Sequence, residues 1–94
     1  MTGTTQSSEG LDVRRRRLLY RSWHRGTREM DLILGRFADS CIIDLTDAEL
    51  AEFEHLADAP DHDIYAWVSG EREVPDDYDG VMFRRLRDFH VNAG

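Results

Sequence analysis

Apolar positions along this chain recur at helical spacing, and nowhere do they alternate with polar ones for long enough to build a sheet. Met30, Ile33, Leu34, Phe37 and Cys41 follow an i, i+3, i+4, i+7, i+11 stripe, the clearest amphipathic segment, and Thr27 is placed to cap its start. Ahead of it, Leu11, Leu18, Leu19 and Trp23 give an apolar side to a helix over about residues 11–24, which Gly26 is expected to end. Thr46-Asp47-Ala48-Glu49 has the form of a capping box and opens a third helix with Leu50, Phe53 and Leu56 inward. Pro60 breaks the chain, and Asp61 is expected to cap a short fourth helix carrying Ile64, Trp67 and Val68, stopped by Gly70. Pro75, Asp76 and Asp77 predict a fifth start. Tyr78, Met82, Leu86 and Phe89 then line one face, with Arg84, Arg85 and Arg87 toward the C-terminal end. The β-branched pair in Cys41-Ile42-Ile43 allows an extended stub instead of helix.

The fold class predicted is therefore all-α, a small five-helix bundle with a disordered N-terminal leader. Residues 1–10, rich in Ser, Thr and Gly, read as that leader, and residues 11–94 as a single helical domain. A total of 94 residues excludes a multi-domain enzyme. No apolar stretch approaches the roughly 18 residues of a transmembrane helix, so no membrane partner is expected. The leader lacks the basic and apolar regions of a secretory signal, and one cysteine cannot form an internal disulfide. The expected setting is a reducing cytoplasm.

Charge sharpens the picture. All 12 basic residues are Arg, against 19 acids, for a net −7. Through residue 38 eight Arg face four acids, a net +4, whereas residues 39–94 carry four Arg and fifteen acids, a net −11. The chain has a basic end and an acidic end. An acidic whole argues against broad nucleic-acid binding, with the Arg14–Arg17 run as the local exception. That run reads as a solvated helix end, although its charges oppose the helix dipole.

Catalytic chemistry is not legible. Cys41 falls on an apolar stripe and reads as a buried thiol. His24, His55, His62 and His90 never occur four apart, the spacing that sets two imidazoles on one helix face. Asp61-His62-Asp63 is explained by capping and solvation better than by a metal, and no Gly-rich phosphate loop is present. No catalytic, cofactor-binding or metal-ligating residue is predicted.

Arg17-Leu18-Leu19-Tyr20-Arg21-Ser22 followed by Arg25-Gly26-Thr27-Arg28-Glu29 resembles the R-G-x-x-E signature of the SdhE family. These are succinate dehydrogenase assembly (flavinylation) factors, also described in bacteria as CptB-type antitoxins. The run from Asp31 to Phe37 is similar to the family's next helix, and Asp61-His62-Asp63-Ile64-Tyr65-Ala66-Trp67-Val68-Ser69-Gly70 to its D-x-D-[LI]-[YF]-x-W-[LI]-x-G segment. The likeness covers about residues 13–90 and departs at Trp23 and His24, where family members often carry small or basic residues. It implies a small helical protein of the bacterial cytoplasm or mitochondrial matrix. Such a protein binds the flavoprotein subunit of succinate dehydrogenase, in some bacteria fumarate reductase, and promotes covalent attachment of FAD to a histidine there. It would not hold FAD stably itself, and it would be an assembly chaperone and not an enzyme.

The resemblance carries Arg25, Gly26 and Glu29 into the expected partner interface, with Arg28, Arg17 and Tyr20 beside them. Each has a plainer reading. Gly26 ends a helix, Arg25 is a solvated charge, and Glu29 answers the dipole of the second helix. Tyr65 and Trp67 are about 200° apart around a helix, so Trp67 is assigned to the core and Tyr65 to the interface. A regulatory or antitoxin-like protein, binding nucleic acid or another protein through the Arg-rich first helix, is the competing class.

Overall fold

A computed structural model describes residues 10–93; among them are five α-helices, one 3-10 turn and no strand. The all-helical class follows the apolar stripes. The leader expected over residues 1–10 lies, Gly10 apart, outside the described residues. No helix among them is long and apolar enough to cross a membrane. The contacts divide the chain into two units, Met1–Thr46 and Asp47–Gly94.

The first unit holds α1 (Val13–Trp23), α2 (Arg28–Cys41) and the 3-10 turn Ile42–Asp44. Asp12 caps α1 by accepting from the Arg15 backbone N–H at 2.8 Å. That bond, with the Arg15 guanidinium adding to it, holds the Asp12 carboxyl below its ordinary range. Leu18, Leu19 and Trp23 of α1 are buried, as is the whole expected stripe of α2 from Met30 to Cys41. Cys41 Sγ donates to the Phe37 carbonyl at 3.3 Å, the behaviour of a structural thiol. The Trp23 ring comes close to the α2 backbone at Gly35: a Cβ there would lie 2.2 Å from Trp23 Cδ2. The indole lies flat against the gap left by that missing side chain, and its Nε1–H donates to Asp39 Oδ1 at 3.3 Å.

Two expectations in this unit need correction. Cys41-Ile42-Ile43 is not extended: Ile42 and Ile43 begin the 3-10 turn, with Ile42 fully buried and Ile43 outward. Nor is the Arg14–Arg17 run uniformly solvated. The Arg15 side chain is only 17% exposed. Its Nε donates to the Ile42 carbonyl at 3.0 Å and its Nη2 to the Leu45 carbonyl. Carbonyls past a helix end lack intrahelical donors, and a guanidinium fork satisfies two at once.

The second unit holds α3 (Asp47–Ala57), α4 (Asp61–Ser69) and α5 (Val81–Ala93). Leu50, Phe53, Ile64, Trp67, Met82 and Leu86 are buried, and α5 packs on both α3 and α4. Burying each such side chain contributes about 1.5–3 kcal/mol. Trp67 is core, as expected, with the Tyr78 ring 5.0 Å from it. Two boundaries differ. Asp61 is the first residue of α4 and not its cap: extended Pro60 takes that place, its carbonyl accepting from the Asp63 and Ile64 N–H groups. α5 begins at Val81 and not near Pro75, because Pro75 opens a turn in which its carbonyl accepts from Tyr78 N–H at 2.9 Å. Tyr78 therefore packs from a loop, and its ring stacks on His55 at 4.5 Å. Glu52 of α3 then accepts from the Met82 N–H, satisfying a donor in the first turn of α5.

Candidate functional site

The link between α1 and α2 is four residues long, His24 to Thr27, and its shape is set by one left-handed residue. α1 ends at Trp23, with His24 as its C-cap. Gly26 follows at φ +107°, a conformation that L side chains avoid. A Cβ at Gly26 would meet nothing within 4 Å. Backbone conformation, not crowding, thus demands glycine here, and the space beside it is open. Thr27 caps α2 as expected, its Oγ1 accepting from Met30 N–H at 3.3 Å. Arg28 and Glu29 stand exposed in the first turn of α2, where an acid suits the helix dipole.

Asp31 closes the turn. Its Oδ1 accepts the Arg25 backbone N–H at 2.6 Å, and its own N–H donates to the Thr27 carbonyl at 3.0 Å. A shallow, open depression lies over this corner, lined by Trp23, His24, Gly26, Thr27, Arg28 and Asp31.

His24 ties the corner to the outer face of α1. Its ring stacks on Tyr20 with centroids 3.8 Å apart. Nδ1 lies 2.7 Å from the Tyr20 carbonyl; a carbonyl only accepts, so Nδ1 carries the proton. Tyr20 is 64% exposed yet held by this stack. Val13, Arg16 and Arg17 share its surface, giving a mixed apolar and basic strip. Rigid aromatic and Arg side chains are the usual energetic anchors of protein interfaces.

Six of the seven expected interface residues therefore belong to the first unit. Arg17 and Tyr20 stand on α1, Arg25 and Gly26 in the turn, and Arg28 and Glu29 on α2. Tyr65, half-buried, stands on α4 in the second unit. Sequence reasoning missed His24 and Asp31. The i, i+4 spacing of Tyr20 and His24 was a usable signal. Nothing in the sequence announces Asp31, because its reach back to residue 25 exists only once Gly26 has turned the chain. Among the described residues, no three His, Cys, Asp or Glu side chains converge as a metal site.

By sequence similarity this all-helical chain falls in a class of assembly factors. Residues 16–90 match the family described as flavinator of succinate dehydrogenase, Sdh5, and the chain belongs to that family. It is similar to FAD assembly factor SdhE of Acetobacter pasteurianus, 34% identical over 89 residues, 94% of this chain and 82% of that protein. It is 42% identical over 69 residues to the mitochondrial succinate dehydrogenase assembly factor 2 of Scheffersomyces stipitis, covering 73% of this chain and 46% of the relative. The Danio rerio protein of the same name is 33% identical over 89 residues, 93% of this chain and 56% of the relative. The chain spans about half the length of most of the mitochondrial relatives it matches.

Proposed function

We propose that this protein binds the flavoprotein subunit of succinate dehydrogenase, or of fumarate reductase, and promotes covalent attachment of FAD to a histidine of that partner. The supporting observation is the corner at Gly26. A left-handed glycine with open space beside it lets a partner's backbone approach closely, and Arg25, Arg28 and Glu29 flank it with both signs of charge. Arg17 and Tyr20 extend the contact along α1, and Tyr65 is proposed as a further contact from the second unit. Holding the flavoprotein so that its histidine faces the flavin raises the rate by proximity and orientation, with no catalytic group on this chain. FAD is bonded to the partner and not held stably here. The proposed setting is the bacterial cytoplasm, in keeping with a bacterial SdhE relative matched over 82% of its length.

The test is a deletion strain complemented with wild-type protein or Glu29→Ala, with flavin fluorescence read from denaturing gels. The flavoprotein should be present but poorly flavinylated in the deletion and with Glu29→Ala. The substitution itself should cost only about 0.3–1 kcal/mol of helix stability. Normal covalent flavin in the deletion strain defeats the proposal. The nucleic-acid alternative loses support with Arg15, whose guanidinium is spent on chain carbonyls.

A further inference from the structure

We infer that Asp31 is a positioning residue, whose carboxylate holds the Arg25–Gly26–Thr27 turn in the shape a partner recognises. The inference rests on the reading that this turn contacts the flavoprotein. Its ground is the pair of bonds that Asp31 makes on either side of Gly26. Asp31 Oδ1 takes the Arg25 N–H at 2.6 Å, and Asp31 N–H binds the Thr27 carbonyl at 3.0 Å. The turn is thereby fastened at both ends to one residue of a well-buried helix, α2.

Neither Gly26 nor the Thr27 side chain fixes the backbone at Arg25. Gly26 has no side chain, and nothing packs in the space where a Cβ would project. The Thr27 hydroxyl is committed to Met30 N–H, so it fixes the entry to α2 and not the backbone before it. Glycine loses the most conformational freedom when ordered, so an unfastened Arg25–Gly26 segment would sample many shapes. A partner would then bear the cost of selecting one of them.

A helix-dipole role would place an acid in this turn too, but it would not require the carboxylate to reach backwards. Two variants separate these roles. Asp31→Asn keeps an oxygen acceptor at the same reach and loses the charge; Asp31→Ala loses both. Each is compared with wild type for affinity to the isolated flavoprotein subunit, for helicity, and for hydrogen exchange of the Arg25 amide in the protein alone. Asp31→Ala should weaken affinity about tenfold and deprotect the Arg25 amide by a similar factor, whereas Asp31→Asn should stay within about threefold on both. Should Asp31→Ala fail to fold, the Asn variant and the wild-type amide still decide.

An Arg25 amide that exchanges freely in wild type overturns the inference. So does Asp31→Ala binding like wild type with that amide deprotected, or Asp31→Asn losing affinity with α2 intact. Wild-type protein that does not bind the flavoprotein refutes the proposed function instead, while the amide measurement still reports on the clamp.

Discussion

Adding one methyl group at Gly35 should destabilise the protein, against the usual benefit of alanine in a helix. In an unstrained helix, Gly→Ala gains about 1 kcal/mol. Here the new Cβ would sit 2.2 Å from Trp23 Cδ2, 2.5 Å from Cε2 and 2.6 Å from Cε3. Carbon contacts settle at about 3.5–4.0 Å, so the ring or the helix must retreat by more than about 1 Å. The indole cannot swing freely, being 4% exposed and tethered by its Nε1–H to Asp39. Overpacking of this kind costs about 1–3 kcal/mol, and a rigid ring at this distance belongs at the upper end or above. Net of the helical gain, Gly35→Ala should lose about 2 kcal/mol, a fall in Tm of about 8–16 °C at the 4–8 °C per kcal/mol of a small domain. Circular dichroism melts measure this directly. A second comparison isolates the cause: in a Trp23→Leu background the same change should be neutral or mildly stabilising. The two substitutions would then be coupled by about 2 kcal/mol. An unchanged or raised Tm for Gly35→Ala in the wild-type background would refute the close approach of the two helices at this point.

Three further outcomes follow from the structure. Arg15→Lys keeps the charge but not the fork, so the Ile42 and Leu45 carbonyls lose a shared donor; urea unfolding should show a loss of about 1–3 kcal/mol, and a loss under about 0.5 would mean that water replaces it. Trp67→Ala should cost about 3–5 kcal/mol, and a loss below about 1 would place the ring outside the core. The Arg72 side chain donates to Asp63 and holds its carboxyl below the ordinary range. A folded-state value lower than the unfolded one stabilises above about pH 4, and that stability is lost as pH falls through the folded value. Arg72→Ala should therefore flatten the acid limb of a Tm-against-pH profile below pH ~4, and an unchanged limb would show that the pair contributes nothing.

Much of the local structure was determined by the sequence itself. The Met30-to-Cys41 stripe, the Thr27 cap and the Gly70 stop depend on helical periodicity and on backbone preferences a few residues wide, and each appears where those forces put it. The signature Arg25-Gly26-x-x-Glu29 was also legible, since a motif is a local string. Tertiary structure decided the matters that depend on distant partners. Arg15 reads as one charge in a run of four until α1 meets the Ile42–Asp44 turn and supplies carbonyls to its fork. Gly35 reads as a weak point in a good helix until Trp23 lies against it. Pro75 with two acids has the grammar of a helix start, yet the chain turns there because Tyr78 packs against Trp67 and His55, and Glu52 satisfies the later start at Val81. Asp31 shows the same division within the candidate site. Its place in the first turn of α2 follows from sequence, but its bond to Arg25 exists only because Gly26 adopts a left-handed conformation and folds the chain back within reach.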